Sequence, residues 1–293
     1  MINEGRGISD VIKDDVDKIY QLFIDNSFSS HSYKLGLRSL TIKFNHLNNY
    51  YSNIQIDKLN NITVNIGIPT NGKEKRVKEN IAHELTHVIE ILGLGPDKDY
   101  PKYNRIKLSL REFKDYPMSK AMEFLTDVFY KTLDNEVNAN VAQTYIYVKS
   151  DGRCSKENAL IRLKEWGTYK LYDDIKNIKL ETLLNGLTSG EVDKFNSLLK
   201  ENGVRTISSD NILSWLNYWF RIFKRKAGIF LKNSERILKE VEDDWKMYEE
   251  YVSSIPISEK VILNYTEYLK ENLKLDDDTS EFSADVDADD LFS

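Results

Sequence analysis

The sequence predicts an α+β fold in which a small sheet and an amphipathic helix are followed by a mainly helical region. Residues 38–44 and 62–68 alternate apolar and polar side chains, as strands with one buried face do. Residues 76–92 come next and carry apolar side chains at the spacing of a helix. From about residue 155 onward the apolar stripes all have helical spacing. We therefore expect strands before the helix at 76–92 and helices after it.

Before residue 150, capping residues and prolines indicate where the predicted helices and strands begin and end. A first helix begins at a capping residue, Ser9 or Asp10, and continues to about residue 28. The two alternating segments form a sheet of two or three strands at most, and residues 48–53 connect them. Residues 93–118 contain three prolines, so we expect an irregular loop beside a substrate cleft, or a solvated connection with a short strand at 106–110. Two helices follow, capped by Ser119 and Asp134.

The chain divides by composition into four parts. Residues 1–8 are a flexible arm, 9–154 a metal-binding domain, 155–275 a helical lobe, and 276–293 an acidic tail. The tail holds eight acidic and no basic residues, which predicts an unstructured segment. Within the lobe, apolar stripes run through 159–166, 192–199, 212–231, 237–251 and 261–273.

The composition indicates which classes of binding partner and which cellular compartment to expect. The net charge is −6, and without the acidic tail the body is nearly neutral, so nothing indicates a nucleic-acid interface. The single cysteine excludes an intramolecular disulfide and fits a reducing compartment. The first ten residues do not resemble a signal peptide, and no uncharged apolar segment is long enough to span a membrane. We expect a cytoplasmic protein.

The motif H-E-L-T-H at residues 83–87 is the strongest chemical signal in the chain. His83 and His87 are four residues apart, so their rings lie on one face of the helix and can converge on a single Zn²⁺. Glu84 lies beside them, where it can take a proton from a metal-bound water. The sequence therefore predicts one catalytic zinc ion.

A catalytic zinc needs a third protein ligand. His87 is not followed by x-x-G-x-x-H, which excludes the metzincin pattern. We predict Glu136, because Ala139 and Ala142 give its helix a smooth surface that can approach the histidine helix closely. Asn140, one turn further on, is predicted to accept the other ring N–H of a zinc-bound histidine. Glu123, in the string E-F-L-T-D, is the alternative third ligand.

H-E-L-T-H followed by N-E-V-N-A-N-V-A resembles the gluzincin branch of the zincin metallopeptidases, over roughly residues 60–150. Within that branch the chain is most similar to zincin-like proteins of tailed bacteriophages. The resemblance implies that His83, His87 and Glu136 are zinc ligands and that Glu84 is the general base. The sequence departs from the family pattern in a long gap between His87 and Glu136, and in having Asn140 where an aspartate is common.

Three functions are compatible with these features. The first is a zinc endopeptidase that acts on a protein or peptide substrate. The second is a virion or assembly protein that keeps a zincin-like fold, attaches through its N-terminal arm or acidic tail, and resides in the host cytoplasm or the phage particle. The third is a peripheral membrane protein that uses the aromatic and basic helix at 212–231. Aromatic residues at helical spacing usually form a core, so we expect no membrane partner.

Overall fold

The structure is a computed structural model that describes residues 8–26, 30–35, 38–69, 72–92, 100–149 and 155–254. It confirms the predicted α+β class. The chain divides into two compact units, residues 1–242 and 243–293, and the second is described only over 243–254. The acidic tail and residues 1–7 of the predicted arm lie outside the described residues.

Four strands form one sheet in the order β1-β2-β4-β3. Their bounds are β1 Ser30–Leu35, β2 Arg38–His46, β3 Tyr51–Ile56 and β4 Ile62–Ile68. The central pair, β2 and β4, is parallel, and each edge strand is antiparallel to its neighbour. The prediction of two or three strands was too low, and residues 51–53 belong to a strand rather than to a connection. Strand β3 has no fully buried position, so it lacks the apolar alternation by which strands are found in a sequence.

The sheet buries one face. Alternate residues of the two central strands lie in the core: Leu40, Ile42, Phe44, Ile62, Val64, Ile66 and Ile68. Phe23 of the first helix packs on Phe44, with ring centroids 4.9 Å apart. This burial of β-branched and aromatic side chains is the main stabilisation of the sheet.

Ten helices lie among the described residues. Their bounds are α1 Ile8–Asn26, α2 Glu74–Ile91, α3 Tyr100–Lys114, α4 Lys120–Lys131, α5 Asp134–Lys149, α6 Lys156–Glu165, α7 Gly167–Asn177, α8 Glu181–Leu184, α9 Ser189–Glu201 and α10 Ile212–Ser254. Helix α2 is the predicted metal helix. Ser119 caps α4 as predicted, because its hydroxyl accepts a hydrogen bond from the Met122 amide at 3.2 Å.

Two predictions about helices were wrong. Residues 100–114, expected to be irregular, form α3. Pro101 is tolerated there because it occupies the first turn, and the rest of the helix contains no glycine or proline. Ile106, Leu110 and Phe113 form its buried stripe. The stripes at 212–231 and 237–251 belong to one 43-residue helix, α10, because no breaker separates them.

Five aromatic residues in the first half of α10 are in the core. Trp215, Trp219, Phe220, Phe223 and Phe230 are each at most 3% exposed. Rings of Trp219 and Phe223 pack on Phe129 of α4 with centroids 5.2 and 6.2 Å apart. The surface required for a membrane-binding aromatic helix is therefore absent from this part of α10. No helix among the described residues is both long and apolar enough to cross a membrane.

Helix α5 packs along α2, and this contact creates the candidate site. Ala139 and Ala142 are 0% and 4% exposed, as expected if small side chains allow the two helices to approach closely. Lys226 of α10 forms an ion pair with Asp134 at the start of α5. Helix α10 therefore contacts the N-terminal end of the helix that carries Glu136.

Candidate metal centre

His83, His87 and Glu136 lie together between α2 and α5. The two Nε2 atoms of the histidines are 3.3 Å apart. Glu136 Oε2 is 3.6 Å from His83 Nε2, and Glu136 Oε1 is 3.6 Å from His87 Nε2. A tetrahedral zinc with bonds of 2.0–2.2 Å requires ligand atoms about 3.3–3.6 Å apart. The two histidine nitrogens have this spacing, and each lies 3.6 Å from one oxygen of the carboxylate, so the three side chains could hold a metal ion.

The two oxygens of the Glu136 carboxylate have different surroundings: Oε1 accepts a hydrogen bond, whereas Oε2 is available to a metal ion. Oε1 accepts a hydrogen bond from the Tyr130 hydroxyl at 2.7 Å and lies 3.6 Å from Lys107 Nζ. Oε2 is buried and has no hydrogen-bond donor within the described part of the chain. A buried carboxylate oxygen without a donor is costly in a metal-free protein. A metal ion bound by this oxygen removes that cost.

The ligands differ in their access to solvent. The His83 side chain is 15% exposed, whereas the side chains of His87 and Glu136 are each 1% exposed. The site therefore lies just beneath the surface, with His83 on its outer side.

The surroundings of the two histidines shift their pKa values in opposite directions, down for His83 and up for His87. Burial and the neighbouring charge of His87 lower the pKa of His83 to about 3. Burial would also lower the pKa of His87, but Glu90, Glu136 and Glu84 together raise it above the usual value. His83 is therefore a neutral ligand at neutral pH, whereas a proton at His87 competes with a metal.

The Glu136 carboxylate is held ionised. Burial would raise its pKa, but the two histidines, Lys107 and Lys131 lower that pKa to about 2. Glu136 is therefore ready to bind a cation throughout the neutral range.

Glu84 is buried at 6% exposure and receives a hydrogen bond from Ser52 of β3, with Oγ 2.6 Å from Oε1. It is not part of the ligand group, although its charge contributes to the raised pKa of His87. Its position beside the ligands and its fixed orientation suit a general base. Ser52 lies on the strand that the sequence did not indicate.

Glu90 and Asn138 are site residues that the sequence analysis missed. Glu90 Oε2 lies 3.6 Å from His87 Nδ1, and Glu90 Oε1 accepts a hydrogen bond from Asn138 Nδ2 at 2.9 Å. A carboxylate on the outer nitrogen of a metal-binding histidine fixes its tautomer. The available signal was the position of Glu90, three residues after His87 on the same helix.

Asn140, predicted to accept a hydrogen bond from a zinc-bound histidine, has a hydrogen-bond partner outside the ligand group. Its Nδ2 donates to the Tyr172 hydroxyl at 3.0 Å, and that hydroxyl donates to the Lys131 carbonyl at 2.6 Å. Glu123, the alternative ligand, has an exposed side chain on α4. The structure brings Glu136, rather than Glu123, to the two histidines.

Comparison of the chain with protein-family models, with curated proteins and with solved structures gives no match.

Proposed function

We propose that this protein is a zinc-dependent peptidase of the gluzincin type. Its ligands are His83, His87 and Glu136, and its general base is Glu84. The observation that carries the proposal is the close approach of the three ligands: the two histidine Nε2 atoms are 3.3 Å apart, and each lies 3.6 Å from one oxygen of the Glu136 carboxylate. Two histidines and a carboxylate are the ligand set of many hydrolytic zinc sites.

When bound, zinc supplies a Lewis acid that polarises the scissile carbonyl and lowers the pKa of water toward neutrality. Glu84 then takes the proton from the attacking water and transfers it to the leaving nitrogen. Ser52 holds one oxygen of Glu84, so the other oxygen is the one that takes the proton. Glu90 keeps His87 oriented with Nε2 toward the metal.

The first test is the zinc content of protein purified without added metal. We expect one equivalent per chain in the wild type, loss of zinc in Glu136→Gln, and retention in Glu84→Gln and Glu123→Gln. Glu123→Gln is the matched control because it makes the same chemical change at an exposed position.

The second test is cleavage of a peptide library. We expect cleavage by the wild type and none by Glu84→Gln, although that variant keeps its zinc. Absence of zinc in the wild type, even after zinc is offered, would refute the proposal and favour the alternative of a virion or assembly protein. Zinc binding without any cleavage would restrict the site to a structural role.

A further inference from the structure

A lysine from the unpredicted helix α3 reaches the metal centre. Lys107 Nζ lies 3.6 Å from Glu136 Oε1 and 5.3 Å from the centroid of the Tyr130 ring. Its side chain is 28% exposed, whereas the Glu136 side chain is 1% exposed. Lys107 therefore contacts both the buried carboxylate and the solvent-accessible side of the site.

A bound divalent metal would make the site more positive. The charges of Glu84, Glu90, Lys107 and Lys131 act on the ligand group, which includes the carboxylate of Glu136. The ion brings two positive charges and displaces at most one proton from His87, so with neutral histidines the metal-bound site would carry one net positive charge. A positive site that is partly shielded from water attracts an anionic ligand.

A bound metal would also weaken the ion pair between Lys107 and Glu136. Glu136 Oε1 has the Tyr130 hydroxyl as a second donor, so the carboxylate stays oriented without the lysine. Once a metal shares the charge of Glu136, the attraction between Lys107 and that carboxylate weakens. The ammonium group then becomes available to another anion.

Building on the proposed zinc site, we propose that Lys107 binds the carboxylate of a substrate or inhibitor at the metal centre. The distances allow this. With a metal–oxygen bond of about 2.1 Å, Lys107 Nζ lies within about 6–7 Å of the metal, a gap that one carboxylate can bridge with its two oxygens. The substrate class is therefore a peptide that presents a carboxylate beside the scissile bond.

Lys107 is better placed for this role than Lys131. Lys107 forms an ion pair with the ligand Glu136, with Nζ 3.6 Å from Oε1. Among the described residues Lys131 forms no such ion pair and acts on Glu136 only through its charge.

The test uses full-length protein loaded with Co²⁺, whose visible spectrum reports on anions near the metal. Acetate is titrated into the wild type, Lys107→Met, Lys107→Arg and Lys114→Met. Lys114→Met is the matched control because Lys114 lies on the same helix and pairs with Asp127. We expect acetate affinity to fall about tenfold or more in Lys107→Met, to be largely retained in Lys107→Arg, and to be unchanged in Lys114→Met.

The outcomes separate this inference from the proposed function. Unchanged acetate affinity in a Lys107→Met protein that holds its full complement of Co²⁺ would overturn the inference alone, as would a wild-type spectrum that acetate does not alter. Failure of the wild type to bind Co²⁺ or Zn²⁺ would overturn both proposals. Titration with N-acetylglycine and with the α-amide of N-acetylglutamate then distinguishes recognition of a C-terminal carboxylate from that of an acidic side chain.

Discussion

Replacement of Glu90 by glutamine tests whether a carboxylate outside the ligand set controls metal binding. When His87 binds a metal through Nε2, its Nδ1 carries a proton and donates toward Glu90 at 3.6 Å. Asn138 Nδ2 donates to the other oxygen at 2.9 Å. A glutamine side chain offers one oxygen to these two donors, so one of them loses its acceptor in either orientation of the amide.

We expect zinc affinity to fall about 10–100-fold in Glu90→Gln, which corresponds to about 1.4–2.7 kcal/mol. Competition with a fluorescent chelator at fixed pH measures this change. The metal-free variant should keep its fold, because the substitution removes a fully buried charge whose desolvation is costly. Glu123→Gln is the exposed control and should leave zinc affinity unchanged. Wild-type zinc affinity in a folded Glu90→Gln protein would refute the idea that Glu90 orients His87.

Three further predictions address the ligand environment and the core. Tyr130→Phe removes the hydroxyl that holds Glu136, so zinc affinity should fall roughly tenfold in the same competition assay, and wild-type affinity would show that the hydroxyl is dispensable. Because the pKa of His87 is raised, zinc binding at pH values below that pKa should release a proton from His87, measurable by calorimetry in buffers of different protonation enthalpy. The metal-free protein should correspondingly lose stability as the pH rises through that pKa. Protonated His87 is stabilised by neighbouring carboxylates in the folded state and has no such partners in the unfolded state. Phe129→Ala should lower the free energy of unfolding in urea by about 3–5 kcal/mol, since its ring is 4% exposed and packs against three aromatic side chains.

The sequence predicted those parts of the site that depend on local geometry. His83 and His87 were identifiable because a four-residue spacing on a helix determines where two side chains point, whatever surrounds the helix. Glu136 required one more step, a second helix with small residues on the packing side, and Ala139 and Ala142 supplied that signal.

The groups around the ligands were not predictable in the same way. Ser52, Lys107 and Tyr130 come from β3, α3 and α4. Nothing in their local sequence indicates that Ser52 contacts Glu84 or that Lys107 and Tyr130 both contact Glu136. Helix α3 was obscured by the glycines and prolines that precede it, and β3 by its exposure at the sheet edge. Such positions depend on tertiary packing, which overrides local propensity.

The unequal burial of the three ligands has a kinetic consequence. A metal ion that arrives from solvent meets His83 first, because the side chains of His87 and Glu136 are almost completely covered. Departure must follow the reverse order, so an ion that has left His87 and Glu136 still remains tethered to His83 and can return. We expect exchange to be slow, with a chelator extracting the metal at a rate independent of chelator concentration. A metal ion bound at this centre would then dissociate slowly.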